Sequence, residues 1–386
     1  MANYPKKDNK IGNIAAIIIL IIAIVIYVRI DTPAQRSTVF KKTDVVFELQ
    51  PDDRASAYSY GGKGFFIGTR GGMNFYNDNS NSPLWTAAYT PVMRTPVTDA
   101  RGTYIGVCDA LGSVFYMFSA DGQMYALTYD NPVLSFSVNS SGYAAVISRD
   151  QNGYKVQALN PQGKEINCYY NQKPNVFPVS ADVSANGSIL SVALTDINEK
   201  HLSSKIILIY NNQEQRQENH DGIFFQIKKD DQLIAKLRFL DNNSLLFLSD
   251  AEMGCIRSDT SKEYWALPIS NEISKFAVAD KCIVLGYGAA IPGRESDIPF
   301  GTLKIYNFDM AEVGSREFGT DIIYLKQSGG AFTAGILGRY IMFGGDGKFL
   351  WEYTPTDDAK EIVPLENTNT VLSVSNIGAA VLKRSR

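Results

Sequence analysis

The side chains that most often bind metals or perform acid–base catalysis are scarce and scattered in this sequence. Its two histidines, His201 and His220, both lie in polar segments that are typical of loops. Neither histidine has a second His or Cys at metal-ligand spacing. No G-x-S-x-G nucleophile elbow occurs, although residue types alone leave a Ser-His-Asp triad open. We therefore predict solvated loop histidines, no metal site and no catalytic residue.

Other patterns that could carry chemistry have simpler structural explanations. Glycine pairs such as Gly61-Gly62 and Gly329-Gly330 are not followed by a helix, which favours tight hairpins over a phosphate-binding loop. The turn Asp241–Asn243 misses the spacing of an EF-hand, and Asp and Asn are common in turns for conformational reasons. The cysteines are too far apart to indicate a disulfide framework: Cys108, Cys168, Cys255 and Cys282.

The elements that would position any site are β-strands and turns. The chain has 386 residues, with 21 Tyr, 20 Phe and 31 Gly, a composition typical of a turn-rich β protein. Its 37 basic and 40 acidic residues give a formal net charge of −3. No basic stripe stands out, so a nucleic-acid partner is not expected.

One segment near the N-terminus has a different character. Ile11–Val28 contains eighteen residues without a charge, nine of them isoleucine. As a helix it would span roughly 27 Å, close to the bilayer hydrocarbon core of about 30 Å. We predict a transmembrane helix over residues 11–28, preceded by a short cytoplasmic tail (residues 1–10) and followed by a linker (residues 29–43). A cleaved signal peptide is the alternative, but its apolar run would be shorter and end in small residues.

The orientation of this helix is less strongly specified by its flanking charges. The basic residues are nearly balanced on the two sides: Lys6, Lys7 and Lys10 before the segment, and Arg29, Arg36, Lys41 and Lys42 after it. A very short basic tail usually stays inside, which places the large domain outside. The expected location is the cell membrane, with a single pass, a cytoplasmic N-terminus and an extracytoplasmic domain.

A repeat runs through the chain from Asp44 onward. Tight turns followed at once by a buried strand recur about every 40 to 57 residues, as in DARGTYIGV, NSSGYAAVI and SANGSILSV. That period is typical of a four-stranded propeller blade. One blade cannot bury both of its faces, whereas blades packed around an axis bury them all. We therefore predict an all-β propeller over residues 44–386; an array of two β-sandwiches is the alternative, disfavoured by the regular period.

The number of blades depends on the two ends of the chain. The turns divide it into seven complete units: Arg54–Tyr89, Val92–Tyr129, Val133–Tyr170, Phe177–Lys229, Leu233–Ile269, Ile273–Gly319 and Asp321–Thr354. A remnant, Glu361–Arg384, supplies three strands, and the strand-like run Asp44–Leu49 is left over at the start. Pairing of that run with the remnant would complete an eighth blade and close the ring. Eight blades are favoured, and seven is the alternative.

Turn signatures add a resemblance to known families. The D-G and L-W pairs are Asp121-Gly122, Asp346-Gly347, Leu84-Trp85 and Leu350-Trp351. They resemble the quinoprotein-like and WD40-like propeller superfamilies. One N-terminal span followed by a propeller resembles an uncharacterised membrane-anchored family of Gram-positive, clostridia-like bacteria. The resemblance covers residues 44–384 and implies a fold and a compartment but no activity. Quinoprotein dehydrogenases often have two adjacent cysteines, which this chain lacks, so no cofactor is expected.

Two long insertions indicate a candidate binding surface. Thr195–Lys205 and Gly286–Lys304 both join the second and third strands of a predicted blade, in blades 4 and 6, so they should emerge on the same face. They would form a raised rim, with tolerated variation in loop length as the alternative. The candidate partner-binding residues are Glu199, His201, Pro292, Arg294, Glu295 and Asp297.

Three functions remain compatible with this sequence. The favoured one is a non-enzymatic scaffold at the cell envelope that binds a protein or an envelope polymer. The second is a hydrolase or lyase with a site in the central channel, for which the predicted innermost strands offer Asp182, Lys236, Arg238 and Lys275. That reading needs a second carboxylate against Asp182. The third is a purely structural platform.

Overall fold

The computed structural model describes residues 38–384, except 49–54, 61–63, 78–79, 81, 198–201, 219–221, 280, 329, 357 and 366–368. The predicted transmembrane helix, Ile11–Val28, lies outside the described residues. Within the described ranges, no helix is long and apolar enough to cross a bilayer.

The described residues form eight antiparallel sheets of four strands each. Blade 1 contains β2 (Ser56–Tyr60), β3 (Gly64–Gly68), β4 (Gly72–Tyr76) and β5 (Trp85–Ala88). Blade 2 contains β6 (Pro96–Arg101), β7 (Tyr104–Asp109), β8 (Val114–Ser119) and β9 (Gly122–Thr128). Blade 3 contains β10 (Val133–Val138), β11 (Ala144–Asp150), β12 (Gly153–Leu159) and β13 (Glu165–Asn171). Blade 4 contains β14 (Val176–Val183), β15 (Ile189–Asp196), β16 (Ser203–Tyr210) and β17 (Ile223–Asp230).

The remaining blades repeat this pattern. Blade 5 contains β18 (Ile234–Phe239), β19 (Ser244–Ser249), β20 (Glu252–Arg257) and β21 (Lys262–Pro268). Blade 6 contains β22 (Asn271–Val278), β23 (Cys282–Ala290), β24 (Thr302–Asn307) and β25 (Glu312–Glu317). Blade 7 contains β26 (Tyr324–Ser328), β27 (Ala331–Ile336), β28 (Arg339–Gly344) and β29 (Phe349–Tyr353). Blade 8 contains β30 (Ala359–Pro364), β31 (Thr370–Ser375), β32 (Gly378–Arg384) and β1 (Phe40–Glu48). The prediction of an eight-bladed propeller is confirmed.

The N-terminal strand closes the ring in the way that the sequence predicts. β1 pairs antiparallel with β32, from Phe40 opposite Arg384 to Glu48 opposite Gly378. The strand begins at Phe40, four residues before the predicted Asp44. The ring of Phe40 packs edge-on against Trp351 of blade 7, with 5.1 Å between centroids. Thr38 then donates its backbone N–H to the carbonyl of Glu352 at 2.7 Å, so the segment entering the blade is held as well.

The hydrophobic core is divided among the interfaces between neighbouring blades. Eight buried clusters exist in the described part of the chain, and each combines residues from two adjacent blades. The cluster between blades 8 and 1 joins Val363 and Leu372 to Phe65 and Ile67. The C-terminal and N-terminal parts of the chain therefore share a buried hydrophobic cluster, as each internal pair of neighbouring blades does.

Tryptophans on two of the fourth strands bond to the next blade through their indole N–H groups. Trp85 of β5 donates its indole N–H to the Ala120 carbonyl of blade 2 at 2.8 Å. Trp265 of β21 makes the same kind of bond to the Phe308 carbonyl of blade 6, at 3.1 Å. The bond from Trp85 gives the L-W signature of blade 1 a structural role, since the ring is half-buried and its N–H is paired.

The order of the strands gives the disc two different faces. The 1–2 and 3–4 turns of every blade emerge on one side, here called the turn face. The 2–3 turns and the connections between blades emerge on the other side, here called the loop face. Phe40 pairs with Arg384, the last residue of a third strand, so the N-terminal segment enters the disc from the turn face. One short helix, α1 (Gln213–Glu218), lies between β16 and β17 on the turn face. The polar composition there had not predicted a helix.

Glycines allow the turns of the turn face to pack on the preceding blade. Gly187, with φ of +76°, lies over the ring of Tyr143, and a Cβ at that position would be 2.2 Å from the ring. Gly142, with φ of +84°, lies over Tyr104 in the same way. Both glycines are needed for their backbone conformation and for the close approach of the ring.

We predict that Gly187→Ala destabilises the protein by about 3 kcal/mol or more, because it combines an unfavourable φ with a steric clash. Gly338→Ala is the matched control, since Gly338 has φ of +70° but no heavy atom within 4 Å of an added Cβ. It should cost only about 1 kcal/mol. Urea unfolding of both variants measures the difference; equal losses would show that the packing of Tyr143 on Gly187 is not tight.

Candidate binding face

The structure places both insertions on the loop face, as predicted. One joins β15 to β16 and the other joins β23 to β24. Glu199 and His201 of the first insertion lie outside the described residues, and so does His220. Pro292, Glu295 and Asp297 of the second insertion are exposed to solvent. These three residues therefore remain available to a partner.

Arg294 has a structural role that the sequence did not reveal. Its Nη1 donates to the carbonyl of Asp250, in the 2–3 turn of blade 5, at 2.5 Å. The same atom donates to the carbonyl of Ile269, directly after the last strand of blade 5, at 2.8 Å. Buried Asn271 holds the same loop by donating to the carbonyl of Ile298 at 3.1 Å. The insertion is thus pinned to the rigid ring, and the Arg294 guanidinium is occupied by backbone carbonyls.

Exposed apolar side chains are a more prominent feature of the loop face. In five blades the 2–3 turn presents a large apolar residue to solvent: Leu111, Ile197, Phe300, Leu337 and Ile377. Leu337 is 81% exposed and Ile377 is 76% exposed, which is far more than an ordinary surface position requires. Phe300, Leu337 and Ile377, together with Ile323 at the start of blade 7, occupy three consecutive blades. We call these four residues the apolar arc.

The turn face differs in composition. Its described turns consist largely of Asp, Asn, Ser and Gly, as at Asn186-Gly187 and Asp121-Gly122. Leu84 is the exposed large apolar side chain within those turns, and Val39 adjoins them just before β1. Sequence reasoning missed the asymmetry between the faces. Its signal was an apolar residue followed directly by glycine in a 2–3 turn: Leu111-Gly112, Leu337-Gly338 and Ile377-Gly378.

A cavity of about 700 Å³ opens on the loop face between blades 1 and 2. Arg70, from the turn between β3 and β4, and Arg94, from the connection into blade 2, both line it. The Arg70 Nε donates to the Met93 carbonyl at 3.1 Å. The Asp109 carboxylate accepts the backbone N–H groups of Arg94, at 3.1 Å, and Thr95, at 2.6 Å. These bonds fix the backbone from which the two arginines project.

The residues that line this cavity include Ser56, Tyr58, Tyr89 and Thr98, which carry hydroxyl groups. Tyr58 and Thr98 are hydrogen-bonded to each other. Tyr89 is buried, and its hydroxyl has no hydrogen-bond partner among the residues that the structure describes. Burial raises the pKa of Tyr89 well above its ordinary value, so the group stays a neutral donor at physiological pH.

Charged residues near the axis form a network that connects several blades. Arg238 of β18 makes a bidentate pair with Asp99 of β6, at 2.9 and 2.8 Å, and donates to the Val138 carbonyl of β10 at 3.1 Å. Asp182 of β14 accepts the Ser137 hydroxyl at 2.8 Å and the Phe239 N–H at 2.7 Å. The network therefore joins blades 2, 3, 4 and 5.

This network bears on the enzyme hypothesis. Asp99 and Asp182 both raise the pKa of Arg238, although burial acts in the opposite direction. The two carboxylates thus lie near the same cation, Arg238. This arrangement is typical of a structural ion network, whereas a catalytic carboxyl pair shares a proton. Asp99, the partner of Arg238, was not among the predicted axial residues.

A second network joins the blades on both sides of the ring closure. Glu361 of β30 accepts the Ser56 hydroxyl at 2.7 Å, the Ala57 N–H at 3.0 Å and the Lys326 ammonium at 2.8 Å. Lys326 also lies 3.8 Å from the centre of the Tyr58 ring, a cation–π contact next to the cavity. Blades 7, 8 and 1 are therefore linked near the axis by buried or half-buried polar groups.

The cysteines and carboxylates show no arrangement for nucleophilic or metal chemistry in the described part of the chain. No group of three or more His, Cys, Asp or Glu there is placed to hold a metal ion. None of the four cysteines, all of which lie in the described residues, forms a disulfide. Burial raises the pKa of the Cys108 and Cys255 thiols to about 12, which keeps them protonated at neutral pH.

Comparisons with known proteins show the family and the fold. Residues 36–383 match a family described as "Family of unknown function (DUF5711)". No curated protein matches the chain. Among solved structures, BamB from Moraxella catarrhalis is similar, with a TM-score of 0.51 and 12% identity over 90% of this chain and 100% of that chain. Sqt1 from Chaetomium thermophilum has a TM-score of 0.56 and 8% identity over 89% and 98%. At such identities the likeness concerns the fold alone.

We predict an acid-sensitive contribution of Asp99 to stability. Burial alone would raise the pKa of Asp99, but the charges of Arg238 and Lys236 and the hydrogen bonds from Arg238 and Val138 lower it to about 2 from the ordinary value of 3.8. The stabilisation is therefore present above about pH 4 and is lost as the pH falls towards 2. Its size is about 2 kcal/mol.

Urea unfolding of wild type and Asp99→Asn between pH 7 and pH 2 measures this contribution. The variant should be about 3 kcal/mol less stable at neutral pH, because Arg238 loses its charged partner. That deficit should shrink by about 2 kcal/mol at the acid end. Gly338→Ala is the control, because it removes no titrating group and its loss of stability should not depend on pH. A deficit for Asp99→Asn that stays constant with pH would contradict the assignment.

Proposed function

This chain belongs to the DUF5711 family of unknown function, and we propose that it is a membrane-tethered scaffold whose loop face binds a protein partner. The observation that carries this proposal is the apolar arc on a face whose opposite side has polar turns. Several large exposed apolar residues on one face of a rigid surface are typical of protein interfaces. Single exposed leucines need no explanation, but four apolar residues on three consecutive blades do.

The rest of the loop face also supports binding of a protein. Glu295 and Asp297 provide exposed polar side chains in the blade 6 insertion, next to the exposed Pro292. An apolar centre with polar residues around it is the usual arrangement of a protein interface. Because Arg294 and Asn271 fix the insertion to the ring, little conformational entropy would be lost on binding.

The tether is the second part of the proposal. Ile11–Val28 has the length and composition of a membrane span, and nine residues, Arg29 to Ser37, separate it from Thr38. Fully extended, these nine residues reach at most about 32 Å. Because β1 enters from the turn face, this tether holds the turn face towards the bilayer and directs the loop face away from it.

The proposed compartment is extracytoplasmic. The short basic tail before the apolar segment favours retention of the N-terminus inside, and the resemblance to membrane-anchored propellers of Gram-positive bacteria agrees with this topology. The partner would then be a protein of the cell envelope that approaches from the side opposite the membrane. An axial hydrolase or lyase is not favoured by any specific contact, since Arg238 pairs with Asp99 while Asp182 accepts hydrogen bonds from Ser137 and the Phe239 N–H.

We predict that Leu337→Gln combined with Ile377→Gln abolishes partner capture. A photo-crosslinking residue at Glu295, which is exposed beside the arc, would report the partner in intact cells. Loss of two interface anchors at more than 1 kcal/mol each should reduce the crosslinked species at least tenfold. Because both side chains are exposed, the stability of the double variant should change by less than about 1 kcal/mol.

Leu84→Gln, the matched change on the turn face, should leave the crosslinked species intact. If the double variant and Leu84→Gln give the same yield, the apolar arc is not the interface. If no specific species forms at Glu295 in wild type, a purely structural platform becomes the better explanation.

The topology has its own test. A cysteine at the exposed position of Leu337, in a Cys168→Ser background, should react with a membrane-impermeant maleimide on intact spheroplasts. The other three native cysteines are buried and should react slowly. Labelling that requires lysis of the spheroplasts would place the propeller in the cytoplasm.

A further inference from the structure

We propose that the cavity between blades 1 and 2 binds a small soluble ligand that carries a phosphate group. This inference goes beyond the proposed scaffold function, because it depends on neither the apolar arc nor the membrane tether. It rests on two features of the cavity, which are a lining that contains two arginines but no acidic residue, and its size.

The residues that line the cavity include these two arginines and no Asp or Glu. Four other arginines of the described ring pair with carboxylates. Arg238 pairs with Asp99, Arg257 with Asp259, and both Arg316 and Arg339 with Glu352. Arg70 and Arg94, in contrast, form no ion pair with a carboxylate within the described ranges, although both are exposed at the cavity. Two guanidinium groups are therefore exposed at one concave site whose lining residues supply no negative charge.

The placement of these groups suits an oxyanion. The Arg70 Nε is bonded to the Met93 carbonyl, which leaves the two terminal nitrogens as a fork of donors. A guanidinium fork matches the oxygens of a phosphate or carboxylate in bidentate geometry. A phosphate group carries about −1.5 to −2 charges at neutral pH and balances both arginines, whereas one carboxylate balances only one. The charge therefore favours phosphate.

The wall of the cavity adds neutral polar groups. Ser56 and Thr98 carry hydroxyls there. Tyr89 also lines the cavity, but its own hydroxyl is enclosed by protein atoms and does not reach the cavity surface.

The size of the cavity defines the ligand further. A volume of about 700 Å³ is within the range of sites for organic ligands and is far larger than a phosphate ion. The ring of Tyr58, which has Lys326 over one side, offers an aromatic surface for the organic part. The ligand that fits is a phosphorylated organic molecule, with its phosphate at Arg70 and Arg94.

Calorimetric titration of the full chain in detergent tests this site. The probes are inorganic phosphate, pyrophosphate and glycerol 3-phosphate, with sodium chloride added to keep the ionic strength constant. Wild type should bind at least one phosphate probe saturably at one site. Arg70→Gln and Arg94→Gln should each weaken binding about tenfold, the loss of one charge-assisted contact.

Arg257→Gln is the control, since it removes the same charge from the turn face and should leave binding unchanged. Equal binding by wild type and the Arg70→Gln/Arg94→Gln double variant would overturn the proposal, as would absence of binding at millimolar probe concentrations. A short-chain phosphatidic acid that binds more than tenfold tighter than glycerol 3-phosphate would identify a lipid instead and would overturn the assignment to a soluble ligand.

Discussion

The pairing of β1 with β32 is the interaction on which the rest of this structure depends. Every blade buries its faces only against its neighbours, so an open ring would expose two faces and an unpaired strand edge. The antiparallel ladder from Phe40–Arg384 to Glu48–Gly378 covers that edge with the other end of the chain. The interface between blades 8 and 1, here called the seam, has the same construction as the internal interfaces. Glu361 accepts the Ala57 N–H across it, as Asp99 accepts Val138 and Asp182 accepts Phe239 elsewhere in the ring.

The two faces of the closed ring differ in their turns. On the turn face, glycines such as Gly187 fit tight 1–2 turns against rings of the preceding blade, whereas the 3–4 connection of blade 4 is longer and contains α1. The 2–3 turns of the loop face carry no such constraint, so they vary in length and present apolar tips and the arginines of the cavity. Because β1 begins on the turn face, a tether attached to it leaves the loop face free for partners.

Much of the fold could be predicted from the sequence because each blade is a local unit. The period of the turns, the strand patterns and the leftover N-terminal run specify eight blades and their closure. The candidate site was less accessible to this reasoning. Arg238 and Asp99 are 139 residues apart, and nothing local indicates that their strands meet near the axis. The role of Arg294 was hidden for the same reason, since its acceptors are backbone carbonyls of another blade.

The central claim is that closure by β1 holds the turn face towards the membrane and the loop face away from it. Energy transfer from a fluorescent residue to acceptor-labelled lipids tests this directly, with the full chain reconstituted in vesicles. The probe is placed at Asn243 on the turn face in one sample and at Leu337 on the loop face in another. The account predicts more efficient transfer from position 243, since blade strands of six residues separate the faces by about 20 Å. More efficient transfer from position 337 would contradict it.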